Sequence, residues 1–159
     1  MRLTVAVAAV VLLSSASFVR AQAPMSYGTS ITAETAKKVA APALAEARKN
    51  QWAMAVAIVD THGELVYFER MDDVQQGSVD VALAKARSAA RFKRPTKTFQ
   101  DGLAAGGAGL RLLSLEGAVP VEGGIPLVVG GKIVGAIGAS GGTSEQDGVV
   151  AAAAVAQLK

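Results

Sequence analysis

The chain has 159 residues, of which 51% are hydrophobic and none is cysteine, so disulfide frameworks and thiolate metal sites are excluded. Its formal net charge of +3 falls to +1 without the two arginines of the N-terminal segment, so no nucleic-acid partner is expected. The single histidine excludes zinc sites and catalytic pairs that need two histidines.

The N-terminus has the layout of a secretory signal peptide. Arg2 supplies the positive start, an apolar run covers residues 3–13, and small residues follow up to a cleavage point after Ala21 or Ala23. Cleavage after Ala21 is preferred, because the alternative would leave a proline first. The apolar run is shorter than the roughly 20 residues that span a bilayer. We therefore expect a periplasmic or secreted protein without stable membrane insertion.

The rest of the chain is long enough for one compact core. We assign residues 1–21 to the signal peptide, 22–30 to a flexible leader and 31–159 to a single domain.

A helix followed by a hairpin is predicted at the start of the domain. Thr32 caps a helix in which apolar residues recur at helical spacing, and Pro42 should bend it. The apolar positions are Ala36, Val39, Ala40, Ala43, Leu44 and Ala47. Residues 53–60 and 64–70 then form two strands joined by a turn at Thr61-His62-Gly63.

Two helices and a strand are predicted next. Ser78 caps a helix over residues 79–92, which stops before a proline. Thr96 opens a short third helix, and an edge strand is expected around residues 118–121.

A second hairpin and a final helix complete the pattern. Residues 125–129 and 132–139 form strands around Gly130-Gly131, a two-residue turn that needs positive φ. The element order predicts an α+β fold, an antiparallel sheet of about five strands with helices packed on it.

The last strand runs into a glycine-rich loop, residues 135–147, with the sequence GAIGASGGTSEQD. It lacks the spacing and the following strand of a dinucleotide site, and the lysine of a P-loop, so no nucleotide is expected. Thr143 or Ser144 caps the last helix, and Gln146 or Asp147 completes a capping box. The functional alternative is that free N–H groups of the loop face a ligand carboxylate.

Three residues of the first hairpin are candidates for ligand binding. His62 is either an exposed turn residue or an axial ligand to haem iron. Arg70 is either a charged strand end or the partner of a ligand carboxylate, and Met71 either fills the core or lines the same site.

Further candidates lie on the second helix and before the second hairpin. Lys85 stands among alanines, where it either extends to solvent or is buried beside Glu122 or Asp72. Gly123 and Gly124 would let a ligand or another backbone segment approach closely. A basic run follows Lys85 and is either a solvated face or a surface for an anionic partner. It consists of Arg87, Arg91, Lys93, Arg94 and Lys97.

Three blocks of sequence, residues 56–73, 78–89 and 121–147, together resemble the GlcG/HbpS family, which includes the C-terminal domain of PduO-type proteins. The resemblance covers residues 31–158. It implies a profilin-like domain and homo-oligomers of up to eight copies. It also implies haem binding, because some members bind haem.

The resemblance leads to the function that we predict. We expect a secreted or periplasmic haem- or tetrapyrrole-binding protein in haem handling or redox sensing, with His62 as the candidate iron ligand. The predicted ligand-binding residues are His62, Arg70, Met71, Lys85, Glu122, Gly123 and Gly124. One alternative is a small enzyme on an organic acid, with Arg70 as carboxylate clamp and Lys85 and Glu122 moving the proton. Another is an oligomeric interaction module for the outer domain of a sensor. A binding protein is preferred over an enzyme.

Overall fold

The computed structural model describes residues 25–158. The predicted signal peptide, residues 1–21, lies outside this part of the chain. None of the helices within residues 25–158 has the length and apolar character needed to cross a membrane.

A five-stranded sheet and four α-helices make up the described chain. The strands are β1 (Ser26–Tyr27), β2 (Ala55–Val59), β3 (Leu65–Arg70), β4 (Gly124–Val129) and β5 (Lys132–Ser140). The helices are α1 (Ala33–Lys49), α2 (Gly77–Phe92), α3 (Thr96–Ala104) and α4 (Ser144–Val155), with a 3-10 helix at Gly107–Ser114. The predicted α+β class is confirmed.

Strand β5 is the centre of the sheet. It pairs antiparallel with β4 along one edge and with β2 along the other, and β3 pairs antiparallel with β2. The short β1 pairs with the start of β5 in parallel, so the sheet is mixed and not purely antiparallel as predicted. Residues 26–27 therefore form a strand within the segment that the sequence assigned to a flexible leader.

The predicted edge strand at residues 118–121 is wrong. This segment is loop, with a bend at Val121. The N–H of Ala118 bonds to Leu115 O at 3.0 Å, and the N–H of Val119 donates to the hydroxyl of Ser88 at 3.1 Å. Because these donors are used, and Pro120 has none, no ladder with a neighbouring strand forms here.

Helix α1 forms as predicted. Thr32 is its N-cap, and its hydroxyl accepts the N–H of Thr35 at 3.3 Å. Pro42 lies inside the helix. All six predicted apolar positions are buried, namely Ala36, Val39, Ala40, Ala43, Leu44 and Ala47. The 3.6-residue periodicity therefore located the core face of α1 correctly.

The sheet lies between two helix layers. Strand β2 is buried along its whole length, and its alternate side chains enter two different cores. Val56 and Ile58 pack with α1 and α4, whereas Ala55 and Ala57 pack with α2. The layers of small residues bring the backbones of helices and sheet close together.

Helix α2 rests directly on two glycines of the sheet. Gly124 and Gly138 are opposite each other on β4 and β5. A Cβ at Gly138 would collide with the carbonyl oxygen of Ala82, and one at Gly124 would collide with that of Lys85. The absence of these two side chains lets the helix backbone touch the sheet, and it fixes where Lys85 stands.

The N-terminus of α2 differs from the prediction. The helix begins at Gly77, so Ser78 is inside it and does not cap it. Ser78 is fully buried, and its hydroxyl accepts a hydrogen bond from Gln75 Nε2 at 3.0 Å.

Candidate functional site

The residues that the sequence singled out lie in three separate places. His62 is in the turn between β2 and β3, whereas Arg70 and Met71 are at the opposite end of β3. Lys85 is on the sheet-facing side of α2. The structure therefore does not gather all the predicted residues into one site.

Lys85 is buried and paired with an acid that sequence reasoning did not assign to it. Its side chain is 1% exposed, and Nζ donates to Asp147 Oδ2 at 2.6 Å and to Ala139 O at 3.2 Å. The other carboxylate oxygen, Asp147 Oδ1, accepts the N–H of Gly142 at 3.1 Å. Burial raises the pKa of Asp147, against the opposing effects of the Lys85 ammonium and the Gly142 N–H. We refer to Lys85 and Asp147 as the buried pair.

The sequence did contain a signal for this pair. Asp147 lies at helical spacing from Val150, Ala151 and Ala154, all of which are buried on the core face of α4. Lys85 occupies the equivalent stripe of α2. Two opposite charges, each on the apolar stripe of its own helix, are expected to neutralise each other when buried.

Gly123 closes the chain over the buried pair. Its φ is +125°, and a Cβ there would lie 3.0 Å from Lys85 Nζ and 2.9 Å from Asp147 Cβ. The N–H of the next residue, Gly124, donates to Thr96 Oγ1 at 2.9 Å. Gly123 and Gly124 therefore permit the close approach of other segments of this chain, which is one of the two roles that the sequence left open for them.

Glu122 directly precedes Gly123, which covers the buried pair, but its carboxylate has a different partner. Its Oε2 is 3.7 Å from Lys97 Nζ, and a Cβ at Gly148 would lie 2.7 Å from its carboxylate carbon. The expectation that Lys85 is buried beside Glu122 or Asp72 is therefore corrected, because Asp147 is the ion-pair partner of Lys85.

The glycine-rich loop after β5 bonds the N–H groups of Gly142, Thr143 and Gln146 to side chains of the chain itself. Thr143 caps α4, and the predicted capping box is present: the Thr143 hydroxyl accepts the Gln146 N–H, and Gln146 Oε1 accepts the Thr143 N–H. Gly142 donates to the buried pair. A Cβ at Gly141 would collide with the carbonyl oxygen of Ala53. These contacts favour the structural role of the loop.

The turn between β2 and β3 presents His62 to solvent. Asp60 Oδ1 accepts the N–H groups of His62 and Glu64 at 2.8 and 2.9 Å. Burial acts to raise the pKa of Asp60, but these N–H donors outweigh it, so the pKa lies below the ordinary aspartate value. The side chain of His62 is 82% exposed. The imidazole is therefore accessible while the backbone that carries it is held in place.

Two arginines of α2 donate hydrogen bonds to backbone oxygens of the same turn. Arg87 Nε donates to Gly63 O, and Arg91 Nε donates to His62 O, each at 3.0 Å. Beside this contact a groove of about 230 Å³ runs along the outer face of α2. We call it the α2 groove. Its lining includes Asp80, Leu83, Ala84, Arg87, Arg91 and Val119.

A second groove lies at the far end of β3. It measures about 300 Å³ and is lined by Arg48, Glu69, Arg70, Met71 and Asp72. Arg48 and Glu69 are an ion pair at 2.9 Å, and Met71 packs against the core. Arg70 lines this groove together with two acidic residues, Glu69 and Asp72, and forms no ion pair with either of them within 4.0 Å.

These features define an α+β protein with a mixed sheet between two helix layers. The Lys85–Asp147 pair is buried in its interior, and the two grooves are open to solvent. The same fold occurs in solved structures. A double mutant of HbpS from Streptomyces reticuli matches with a TM-score of 0.76 and 30% identity, over 91% of this chain and 99% of that one. PduOC in complex with haem matches with a TM-score of 0.72 and 29% identity, over 80% and 94%.

Sequence comparison identifies the family. The protein GlcG of Escherichia coli K12 is 37% identical over 110 residues, which cover 69% of this chain and 81% of GlcG. The family model described as "Haem degrading protein HbpS-like" matches residues 31–156. The chain belongs to the HbpS-like family, and the resemblance found in the sequence is confirmed.

Proposed function

We propose that this protein binds haem or a related tetrapyrrole outside the cytoplasm, in haem handling or redox sensing. The observation that carries the proposal is the match, over nearly the whole of PduOC, to a structure determined with haem bound. Family membership supports it, since HbpS-like proteins are described by their action on haem.

The residues of this chain fit a haem. A neutral imidazole is a common axial ligand, and the His62 side chain is 82% exposed, with Nδ1 3.4 Å from Thr61 Oγ1 and 3.8 Å from Asp60 Oδ2. The turn that carries it borders the α2 groove, which offers apolar side chains and two guanidinium groups. A bound haem would supply an iron centre for redox chemistry, and His62 would hold that iron from the protein side.

Export and self-association are part of the same proposal. The layout of residues 1–21 supports export, with Gln22 as the mature N-terminus. Intact-mass measurement of exported protein tests this, and retention of residues 1–21 would contradict it. The family resemblance supports a homo-oligomer of up to eight copies, and Leu110 and Leu113, exposed by 56% and 69%, suit such contacts. A monomer mass by light scattering at micromolar concentration would contradict self-association.

The enzyme alternative gains no support from these contacts. It requires Lys85 and Glu122 to move a proton together, whereas Lys85 is bonded to Asp147 and Glu122 faces Lys97. We therefore propose no second function.

Titration with haemin tests the proposal. Addition of haemin to the mature protein should produce an absorption band distinct from that of free haemin, with saturation at a defined stoichiometry. Unfolded protein in denaturant serves as the control for non-specific haemin uptake. A titration that matches free haemin at every step would contradict haem binding.

A further inference from the structure

We infer that the α2 groove holds the carboxylate side of the ligand, with Arg87 and Arg91 as the residues that bind the carboxylates. This inference rests on the proposed function and assigns it a place on the molecule. It differs from the sequence prediction, which gave the carboxylate clamp to Arg70.

The shape and lining of the groove fit part of a flat amphipathic molecule. Leu83, Ala84 and Val119 provide an apolar surface, and the arginines are at one end. The groove of about 230 Å³ is smaller than the 300–1,000 Å³ typical of enclosed ligand sites, so a bound molecule would remain partly exposed to solvent.

The charges along the α2 groove differ between its two ends, which would orient a bound ligand. Asp80, Leu83, Arg87 and Arg91 follow one another at helical spacing on the outer stripe of α2, over roughly 16 Å at 1.5 Å per residue. Asp80 repels a carboxylate at one end, whereas Arg87 and Arg91 attract it at the other. An amphipathic molecule with carboxylates on one side therefore has one favoured orientation.

Arg87 has capacity left for a ligand. Its Nε is bonded to Gly63 O, but within residues 25–158 no carboxylate lies within 4.0 Å of its guanidinium. Arg91 is 3.5 Å from Glu64, an exposed pair that contributes little to stability. A planar guanidinium that already donates from Nε is held in orientation for a bidentate contact through its terminal nitrogens.

The same two arginines link the groove to His62. Arg91 Nε is bonded to His62 O, and a Cβ at Gly63 would lie 2.8 Å from Arg91 Nε. The turn therefore lies against the arginine end of the groove, beside the expected carboxylates. One ligand can contact the guanidinium groups and the imidazole together.

The test uses two probes and three variants of the mature protein. The probes are haemin and its dimethyl ester, in which both carboxylates are blocked. The variants are Arg87→Gln, Arg91→Gln and, as the matched control, Arg111→Gln, which removes an equally positive charge from the exposed 3-10 helix. Affinities are measured by absorbance titration at fixed salt, and folding is checked by thermal unfolding.

The inference predicts a loss that depends on the carboxylates. Haemin affinity should fall about three- to tenfold in Arg87→Gln and in Arg91→Gln, and stay unchanged in Arg111→Gln. The dimethyl ester should bind the wild type and all three variants equally. An equal loss for both probes would mean that the arginines only position the turn, and this would overturn the inference.

Two further outcomes separate this inference from the proposed function. Unchanged haemin affinity in both arginine variants would overturn the groove assignment and leave haem binding in place. Failure of the wild type to bind either probe would overturn the proposed function, and the groove assignment with it.

Discussion

The two faces of α2 carry charge in opposite ways. On the inner face, Lys85 stands among fully buried alanines, and its ammonium is neutralised by Asp147 of α4. On the outer face, Arg87 and Arg91 border an open groove and are bonded to backbone oxygens of the turn. A cation on the inner stripe of α2 therefore has a structural role, whereas a cation on the outer stripe is available for ligand binding.

The energetic consequence follows from burial. An unpaired charge inside a protein costs several kcal/mol, so the inner lysine needs its aspartate, and at 1% exposure its ammonium is out of reach of a ligand on the surface. The half-buried Arg87 and the exposed Arg91 carry no such cost, because their guanidinium groups reach solvent, and they keep donors for an anion. The inner face is thus a structural element and the outer face the candidate binding surface.

The largest expected effect comes from breaking the buried pair. Lys85→Met leaves Asp147 buried without its cation, and we expect unfolding free energy to fall by about 3–5 kcal/mol in chemical denaturation. Lys37→Met, at an exposed lysine of α1 that forms no ion pair within residues 25–158, is the matched control and should change stability by less than about 0.5 kcal/mol.

A double variant, Lys85→Met with Asp147→Leu, tests the cause. It removes both charges and should recover much of the lost stability, because no uncompensated charge remains. Wild-type stability in the single variant would contradict the structural role of the pair. A stable single variant that no longer binds haemin would move the ligand site to the inner face.

The contact of α2 with the sheet should be nearly as sensitive. Gly138→Ala places a methyl group against the carbonyl oxygen of Ala82, and we expect a loss of about 1–3 kcal/mol or more. Gly77→Ala, at the exposed start of the same helix with open space around it, should be neutral or stabilising by up to about 1 kcal/mol. Equal effects of the two substitutions on thermal unfolding would show that backbone contact does not hold α2.

Local patterns in the sequence predicted most of the fold. The periodicity of α1, the Gly130-Gly131 turn and the Thr143 capping box each depend on residues within a few positions of one another. Such short-range physics can be inferred from sequence alone. The wrong edge strand at residues 118–121 and the missed β1 depend instead on which distant N–H and carbonyl groups are available.

The site was less predictable for the same reason. The bond between Lys85 and Asp147 joins residues 62 positions apart, and nothing local states that they meet. Arg87 and Arg91 belonged to a basic run that the sequence left open between a solvated face and an anionic surface. Only the folded β2–β3 turn, which brings His62 against Arg91, distinguishes these two from the other cations.

On the outer face, His62→Ala should lower haemin affinity by an order of magnitude or more and shift the bound spectrum. The side chain is exposed, so the melting temperature should stay close to that of the wild type. Absorbance titration and thermal unfolding measure the two effects separately. An unchanged spectrum would assign the axial position to Met71, Tyr67, a lysine or water.

The smallest predicted effect concerns the acid that holds the His62 turn. Asp60→Asn weakens the acceptor for the His62 and Glu64 N–H groups, and we expect a loss of about 1 kcal/mol at neutral pH. Because the pKa of Asp60 is lowered in the folded state, its stabilisation is present above the ordinary value of 3.8 and is lost as pH falls through the lowered pKa.

The stability difference between the wild type and Asp60→Asn should therefore shrink as the pH falls below 3.8, the ordinary aspartate pKa, as measured by denaturation across pH. A difference that stays constant or grows on acidification would contradict this role of Asp60.

The central claim is that haem binds at the outer face of α2 and not at the buried pair on its inner face. Hydrogen–deuterium exchange with mass spectrometry, with and without haemin, tests this claim most directly, and it does not depend on oligomer size. The account predicts slower exchange in peptides that cover the His62 turn and residues 115–119, and no change in peptides that cover residues 140–147. Protection confined to residues 140–147, with none at the turn, would place the ligand at the buried pair and contradict the account.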